Sequence, residues 1–364
     1  MSAKNFDIAI IGAGVVGLMS ALFLRQQGLK VLVLEKNVAV AKEASRAGGG
    51  IISPLHPWRY SKAMLELASW SHQYYPDIVK QLSIYSGQDV PLIQTGMLVP
   101  NTQEADNALQ CSFLQSRLLS SEQVYELEPA LELTQSAVFV EGVCNVRNPA
   151  LCKAMPIALQ KLGVQIYTNI NIKDINTVSQ QWQIQTSNQS FSADKLVICA
   201  GAWSSELFNL FSSQQVQQAR PEIFPVKGQM LAIKSKPGVL RTIVLENNRY
   251  LIPRHDGLVI VGSTVENAGF DKITSKESEA ELLAFAHEKL PTLRYSPVIS
   301  HWAGLRPGSH RDRPFISTVD GMDNLFVNVG HFRNGLLSAP ASAQLLTDLV
   351  LNKKSVFKID EYSL

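Results

Sequence analysis

The chain has 364 residues, 46% of them hydrophobic, so it can bury a large core and is long enough for two interleaved domains. Its 33 Lys and Arg against 31 Asp and Glu give a formal net charge of +2, which excludes the strong field that binding to nucleic acid or anionic lipid would need. The four cysteines form no CxxC pair and the seven histidines no HExxH spacing, so we expect no disulfide framework, no metal and a reducing, cytoplasmic compartment.

A strand, a helix and a second strand are predicted at the start of the chain. Residues 6–11 are apolar apart from Asp7, as in a buried parallel strand. Residues 15–27 have helical spacing that ends at Gly28, and 30–34 form the next strand. The uncharged run 8–24 also suits a signal peptide or a short membrane helix. Because glycines interrupt that run, we favour the βαβ unit and expect no stable membrane insertion.

Further elements follow the same periodicities. Helical spacing covers residues 63–83 and 336–351. Strands separated by turns, which suggest an antiparallel sheet, are predicted over 92–100, 222–234, 241–253 and 258–264. Residues 195–199, which run into Ala200 and Gly201, predict another buried parallel strand. The chain is therefore expected to leave a nucleotide-binding domain and return to it.

The first turn carries a dinucleotide-binding fingerprint. A GxGxxG sequence follows a predicted strand and opens a predicted helix, so its glycines permit a tight turn and the helix N-terminus can stabilise a pyrophosphate. It consists of Gly12, Ala13, Gly14, Val15, Val16 and Gly17. Glu35 ends the second strand, where its carboxylate can accept hydrogen bonds from ribose hydroxyls. The fingerprint by itself leaves NAD and FAD open.

Three further glycine-containing regions stand out. Residues 45–50 offer the Ser45 hydroxyl and unobstructed backbone N–H groups to a pyrophosphate or a flavin edge, although an ordinary flexible loop is an equal alternative. Residues 301–308 and 330–337 are dense in glycine, aromatic residues and arginine. Gly335 begins a predicted helix whose N-terminus could face a flavin pyrimidine ring and stabilise negative charge on it.

Together these motifs resemble the FAD-dependent D-amino acid oxidase superfamily and, within it, the glycine oxidases of thiamine thiazole synthesis. The resemblance spans nearly the whole chain and rests on the GxGxxG with Glu35 and Lys36, on SxAGG at Ser45, and on residues 249–254, 302–308 and 330–335. Besides the fingerprint, it implies cofactor contacts from Glu35, Lys36, Ala44, Ser45, Gly48, Gly49, Gly50, Ile172, Ala200, Gly201, Trp203, Gly304, His331, Phe332, Arg333, Asn334, Gly335, Leu336 and Leu337.

The same resemblance implies an α/β fold of two domains, as in D-amino acid oxidase and glutathione reductase. A Rossmann-type FAD-binding domain would comprise residues 1–85, 142–215 and 305–364. An interleaved substrate domain with an antiparallel sheet would comprise 86–141 and 216–304. Relatives often form homo-oligomers, and we expect the same here.

Substrate contacts also follow from the resemblance. Arg306 and the Tyr250 hydroxyl would clamp the substrate carboxylate, and the Arg333 backbone carbonyl would accept a hydrogen bond from the amine. A planar guanidinium suits a carboxylate in any protein. Two alternatives stay open: an internal carboxylate such as Asp312 or Asp320 could pair with Arg306, and Tyr250 could be a core aromatic residue.

Two pocket positions depart from the glycine oxidase pattern, since Gly50 and Val265 stand where methionines are expected. We therefore expect a wider pocket that takes D-proline, D-alanine or sarcosine as well as, or better than, glycine. No cysteine follows Cys199, so the C-terminal cysteine that attaches flavin in sarcosine oxidase relatives has no counterpart. FAD should be noncovalent.

The predicted reaction oxidises glycine or a small D-amino acid to an imine, which water hydrolyses to an oxo acid and ammonia. Dioxygen would accept the electrons and leave as hydrogen peroxide. No strong acid or base is required, because the flavin supplies the difficult step. The alternatives are a flavin D-amino acid dehydrogenase that uses a quinone or another acceptor, an NAD-dependent dehydrogenase, and a flavin-binding module that modifies tRNA.

Overall fold

The computed structural model of the chain describes residues 5–100, 104–133 and 135–364. Its helices are α1 Val15–Gln26, α2 Ala44–Ala47, α3 Lys62–Ser86, α4 Ala105–Gln110, α5 Ser121–Leu127, α6 Asn148–Lys161, α7 Ser204–Leu207, α8 Gln214–Gln218, α9 Lys276–Lys289 and α10 Gly335–Val350. Its strands are β1 Asn5–Ile11, β2 Val31–Leu34, β3 Ile51–Ile52, β4 Leu92–Gln94, β5 Met97–Val99, β6 Ser116–Leu119, β7 Ala137–Val140, β8 Cys144–Val146, β9 Gln165–Tyr167, β10 Ile172–Val178, β11 Gln181–Thr186, β12 Ser190–Ile198, β13 Phe224–Lys234, β14 Ile243–Glu246, β15 Arg249–Pro253, β16 Leu258–Gly262, β17 Val298–Gly308, β18 Phe315–Thr318 and β19 Leu325–Val329.

The first sheet is built around β1. This strand pairs in parallel with β2 on one side and β12 on the other, while β9 extends the sheet beyond β2 and β19 extends it beyond β12. Ile8 and Ile10 belong to the core formed with α1, α3, α6 and α10, whereas Ala9 and Ile11 belong to a second core on the opposite face. Burial on both faces explains why residues 8–11 are all apolar.

The predicted helices lie against this sheet. α1 begins after its N-cap Gly14, and the chain leaves it through Gly28 at φ +89°. The predicted helices 63–83 and 336–351 correspond to α3 and α10. The uncharged run 8–24 is β1 followed by most of α1, and no helix in the described ranges is long and apolar enough to cross a membrane.

The second sheet has the strand order β17-β13-β16-β15-β14-β5-β7-β6. Neighbours are antiparallel except β14 and β5, which pair in parallel with Ile243 opposite Met97. The predicted antiparallel sheet is thus mixed at one pair, because β5 comes from a distant part of the chain and no hairpin ties its direction to β14. One face is covered by α9 through Leu282, Phe285 and Ala286.

Residues 92–100, predicted as one strand, form two strands in different sheets. β4 joins β8 and β3 in a small third sheet, whereas β5 belongs to the second sheet. The chain turns between them at Gly96, which has φ +65° and whose added Cβ would lie 2.4 Å from the Phe139 ring. Since only glycine fits there, the alternation of apolar residues could not reveal the break.

The two large sheets confirm the predicted α/β fold of two interleaved domains, one of them of Rossmann type. The predicted boundary at residue 305 falls inside β17, which continues to Gly308 in the second sheet. Strand continuity therefore assigns residues 305–308 to the second sheet. The other domain boundaries stay a prediction.

Candidate functional site

A cavity of about 890 Å³ lies where the carboxyl ends of β1, β2 and β12 meet β17 and the start of α10. Cofactor and ligand sites span roughly 300–1,000 Å³, and open α/β sheets bind nucleotides outside the carboxyl ends of their strands. The predicted residues that line the cavity are Gly12, Gly14, Val15, Val16, Glu35, Lys36, Ala44, Ser45, Gly48, Gly49, Gly50, Ile172, Ala200, Gly201, Trp203, Tyr250, Gly304, Arg306, His331, Phe332, Arg333, Asn334, Gly335 and Leu336.

Close contacts that only glycine permits hold the GxGxxG turn. Gly12 has φ +108°, and a Cβ on it would lie 2.3 Å from the Cys199 carbonyl oxygen. A Cβ on Gly17 would lie 2.0 Å from the Gly12 carbonyl oxygen. Gly14 caps α1, so the positive end of the helix faces the cavity and suits an anionic group.

Glu35 supports this turn from the end of β2. Its Oε2 accepts a hydrogen bond from the Ala13 N–H at 2.8 Å, and its Oε1 accepts one from the Asn37 N–H at 2.9 Å. A carboxylate offers further lone pairs, so the predicted ribose contact is compatible with both bonds. Beside it, the Lys36 Nζ lies 3.2 Å from the centroid of the Trp203 ring.

Residues 45–50 are held by side chains from several elements. The Ser45 hydroxyl accepts a hydrogen bond from the Val15 N–H at 2.8 Å. Trp302 Nε1 donates to the Ala47 carbonyl at 2.9 Å, and the buried Arg254 donates to a further carbonyl of the segment at 2.8 Å. These contacts argue against a flexible loop. Trp302 and Arg254 lie in the matched motifs, but we did not predict them as supports of the site.

An uncharged histidine organises the start of α10. His331 Nδ1 lies 2.9 Å from the Ser338 hydroxyl, and Nε2 lies 2.8 Å from Asn328 Oδ1. Asn328 in turn donates to the Ser20 and Ser342 hydroxyls. Burial lowers the pKa of His331 to about 3, so the ring is neutral under ordinary conditions and is a poor proton acceptor. Its role is to orient the loop before α10.

Arg306 projects from β17 into the cavity wall. Its Nη1 donates to the Lys227 carbonyl at 3.2 Å, and its Nη2 donates to the Ser263 hydroxyl at 2.8 Å and the Thr264 carbonyl at 3.2 Å. All three acceptors are uncharged. Burial lowers the pKa of Arg306 to about 10, which still leaves the guanidinium positively charged at neutral pH.

The carboxylates considered as internal partners of Arg306 lie elsewhere. Asp312 accepts a hydrogen bond from the Ser61 N–H at 2.8 Å and pairs with Arg313 at 3.4 Å, and Asp320 is exposed. Within the described ranges Arg306 forms no ion pair, so the alternative of internal pairing does not hold. A bound carboxylate would supply the missing counter-charge.

Tyr250, on β15, is buried in the core of the second sheet and also lines the cavity beside Arg306. Its hydroxyl lies 3.8 Å from the Met230 sulfur and favours the charged form of Arg306. Two glycines make room for these groups. A Cβ on Gly228 would lie 2.1 Å from Arg306 Nη2, and a Cβ on Gly262 would lie 2.7 Å from the Tyr250 ring. The sequence signal for both, glycine inside a strand, was available but not used.

Four predicted residues lie outside the cavity lining. Ala13 donates its N–H to Glu35, and Gly17 packs against the Gly12 carbonyl. Leu337, on α10, is buried in the core. Val265 is 51% exposed, although the carbonyl of the preceding Thr264 accepts a hydrogen bond from Arg306. The structure therefore does not place Val265 in a substrate pocket.

Gly50 lines the cavity but does not widen it as predicted. At φ +79° an added Cβ would point at the Val146 carbonyl oxygen, 2.1 Å away, and not into the cavity. The neighbouring Gly49 offers no open direction either, since its added Cβ would lie 2.6 Å from Ile252 Cδ1 and 3.3 Å from the Tyr250 ring. Neither glycine therefore adds room for a substrate side chain.

The assembled site fits a flavin dinucleotide. The N-terminus of α1 and the glycine turn suit a pyrophosphate, Glu35 and Lys36 stand where a ribose is expected, and a second helix N-terminus, that of α10, opens onto the cavity at Gly335. No group of acidic, histidine or cysteine side chains suited to a metal occurs among the described residues.

Comparison with known proteins agrees with this geometry. The family described as FAD dependent oxidoreductase matches residues 7–349. A glycine oxidase from Pseudomonas aeruginosa is 38% identical over 362 residues, 98% of each chain, and a bifunctional protein ThiO/ThiG from Synechocystis sp. is 32% identical over 96% of this chain and 52% of its own. The crystal structure of glycine oxidase from Geobacillus kaustophilus superposes with a TM-score of 0.92 at 27% identity, covering 99% of this chain and 98% of that one.

Proposed function

Because the chain belongs to the FAD dependent oxidoreductase family, we propose that it oxidises glycine and small D-amino acids, sarcosine and D-proline included, with dioxygen as the electron acceptor. The observation that carries this proposal is the charged Arg306 guanidinium, which lies in the wall of the cofactor cavity and forms no ion pair within the described ranges. A substrate carboxylate would complete its hydrogen bonding.

The proposed roles of the residues follow from where they lie. Arg306 and the Tyr250 hydroxyl hold the carboxylate, and the Arg333 backbone carbonyl accepts a hydrogen bond from the amine, so the α-carbon is held between them. Glu35, Ser45 and the N-termini of α1 and α10 belong to the elements that would hold FAD. When bound, FAD accepts the hydride that leaves the α-carbon.

No acidic or basic side chain of this cavity has to abstract a proton from carbon. The cavity-lining His331 is kept neutral by burial, and the amine need only be unprotonated when it binds to a carbonyl acceptor. Water then hydrolyses the imine. For glycine the balance is one glycine, one water and one dioxygen converted to glyoxylate, ammonia and hydrogen peroxide.

The metabolic role of the reaction is also a proposal. A relative named ThiO/ThiG supports a place in thiamine thiazole synthesis, and catabolism of D-amino acids is the alternative. The cytoplasmic location, the homo-oligomeric state and the noncovalent attachment of FAD stay predictions. Flavin colour that remained on the precipitated protein after acid denaturation would contradict noncovalent attachment.

The second candidate function is a flavin D-amino acid dehydrogenase that passes electrons to a quinone or another acceptor. The two candidates differ in the amount of hydrogen peroxide formed per amino acid oxidised. We expect about one hydrogen peroxide for each amino acid oxidised in air-saturated buffer, whereas a yield near zero with rapid turnover on an artificial quinone would favour the dehydrogenase.

The central test is anaerobic bleaching of the flavin with glycine, sarcosine and D- and L-amino acids, in the wild type and in Arg306→Ala. The variant should retain FAD but lose on the order of 2–5 kcal/mol in kcat/KM, mainly through KM, because the carboxylate would be buried without its partner. Arg294→Ala, which removes an exposed arginine, is the matched control. A loss in Arg306→Ala no larger than in the control would refute Arg306 as the anchor.

A further inference from the structure

A connection of the second sheet reaches across to residues that follow strands of the first sheet. Residues 266–275, which we call the strap, lie between β16 and α9 and contain no helix and no regular strand. The Phe270 ring of the strap stacks on the Trp203 ring, with centroids 5.4 Å apart and an interplanar angle of 27°. Lys272 Nζ lies 3.0 Å from Glu43 Oε2. The strap therefore joins the two sheets through one aromatic pair and one ion pair.

The residues that the strap contacts belong to the cavity wall. Trp203, Glu43 and Lys36 line the cavity at the end where the ribose of FAD is expected. Lys36 Nζ lies 3.2 Å from the centroid of the Trp203 ring and interacts electrostatically with Glu43. Phe270 and Lys272 do not line the cavity. They pack on the outer side of this wall, so the strap supports the side chains that face the cofactor.

The buried Lys227 holds the strap in place. Its Nζ donates hydrogen bonds to the Ile273 carbonyl at 2.6 Å and to Asp271 Oδ2 at 3.2 Å, and it lies 3.5 Å from Glu266 Oε2. The backbones of Lys227 and Glu266 also exchange two hydrogen bonds of 3.0 Å. Because Lys227 is only 4% exposed, water competes little for its side-chain bonds. These bonds fix the strap without a helix or a strand.

A wall that is ordered before the cofactor arrives lowers the entropic cost of binding. Without the Phe270 ring, Trp203 would lose its stacking partner on the outer side of the wall. Without Lys272, the Glu43 side chain would lose its ion pair and keep a hydrogen bond from Asn37 at 3.3 Å. FAD would then have to order these side chains as it binds, and it would leave past a less firmly held wall.

We propose that the strap retains FAD by supporting the nucleotide end of the cavity, and that Phe270 and Lys272 are its positioning residues. Neither side chain touches the cofactor, and each holds a side chain of the wall in place. The proposal concerns the cofactor alone and does not depend on which substrate is oxidised. It predicts slow release of FAD from the intact chain and faster release when either contact is removed.

The rate of FAD release from diluted holoenzyme, followed by flavin fluorescence, tests the proposal. We expect Phe270→Ala to raise the dissociation rate constant by roughly threefold to tenfold, the effect of one aromatic pair, and Phe270→Tyr to keep it near the wild type. Lys272→Glu places two carboxylates together and should raise it by roughly twofold to fivefold. Lys227 is left unchanged, because its carbonyl accepts a hydrogen bond from Arg306.

Two variants nearby serve as matched controls. Ile273→Ala removes a side chain that is 76% exposed and keeps the carbonyl to which Lys227 donates. Lys276→Glu reverses the charge of another exposed lysine, at the start of α9. Both should release FAD at the wild-type rate. Dissociation rate constants in Phe270→Ala and Lys272→Glu no larger than those of their controls would overturn the proposal.

Fragments of the cofactor distinguish support of one end from a general loss of structure. ADP fills the nucleotide end of the cavity and riboflavin the flavin end, and their Kd values for the flavin-free full-length chain can be measured by calorimetry. We expect Phe270→Ala to weaken ADP binding by about the same factor as FAD binding and to leave riboflavin binding unchanged. An equal loss for ADP and riboflavin would contradict the proposal. These measurements need no turnover, so they hold even if no amino acid bleaches the flavin.

Discussion

Gly228→Ala tests whether the position of Arg306 controls substrate binding. Gly228 lies in β13, and a Cβ there would approach Arg306 to 2.1 Å at Nη2, 2.4 Å at Cζ and 2.4 Å at Nη1. Separations below 3.0 Å are not tolerated, so one side must move. The guanidinium is the end of a flexible side chain, whereas the backbone of β13 is paired on both sides. The guanidinium is therefore the part that shifts.

The expected cost follows from the bonds that this shift breaks. Arg306 loses its hydrogen bonds to the Lys227 carbonyl, the Ser263 hydroxyl and the Thr264 carbonyl. The substrate carboxylate in turn loses an aligned partner. Hydrogen bonds to charged groups contribute about 1.5–3 kcal/mol each. We expect kcat/KM for glycine to fall by about 2–4 kcal/mol, roughly 30- to 1,000-fold, mainly through KM.

The assay is steady-state oxidation of glycine together with the FAD-to-protein absorbance ratio, which should stay near that of the wild type. Gly238→Ala is the control, since it places a side chain at φ +79° but meets no atom within 4 Å and so reports backbone strain alone. If fully FAD-loaded Gly228→Ala retained kcat/KM within about threefold of the wild type, the argument that Arg306 must hold its present position would be refuted.

Two other properties of the site can be measured. The pKa of His331 is about 3 in the folded chain, against 6.5 for an ordinary histidine. Between these two pH values the unfolded chain binds a proton that the folded chain does not. The free energy of unfolding should therefore fall as pH drops from about 6.5 to 3, by up to about 1.4 kcal/mol per pH unit. Denaturant titrations at pH 4, 5 and 6 give the free energy of unfolding at each pH. This free energy should change less with pH in His331→Asn than in the wild type, and an equal change in both would contradict the argument. Met230→Ala removes the side chain beside the Tyr250 hydroxyl, so the ratio of kcat/KM for D-proline to that for glycine should rise several-fold; an unchanged or lower ratio would show that Met230 does not limit substrate size.

The glycine turn at the cavity could be predicted from the sequence because its close contacts are made by the backbone. The turn after β1 needs glycine for close approach, and a Cβ on Gly12 or Gly17 would collide with carbonyl oxygens. Such constraints appear as glycines at set spacing between a strand and a helix. They are local, so one stretch of sequence contains the whole pattern.

The substrate half was harder to predict because its shape depends on side chains from distant strands. The resemblance predicts Gly50 and Val265 as pocket positions, yet a Cβ on Gly50 would point at a carbonyl of β8, and Val265 is exposed. Met230 on β13 lines the cavity, and Gly262, opposite it on β16, makes room for the Tyr250 ring. Which residues meet there depends on strand register, which apolar alternation does not specify across sheets.

Two proposed anchors for the substrate, Arg306 and the Arg333 carbonyl, come from different parts of the chain but lie next to one shared backbone hydrogen bond. Arg306 lies on β17, and Arg333 follows in the loop before α10. The Phe332 N–H donates a hydrogen bond to the Pro307 carbonyl at 2.9 Å, which ties that loop to the end of β17 one residue from each arginine. Phe332 has φ +46°, an uncommon conformation for a residue with a side chain. The separation of these two backbone segments is thus set by the fold before any ligand binds, so bringing the Arg306 strand and the Arg333 carbonyl together requires no domain closure.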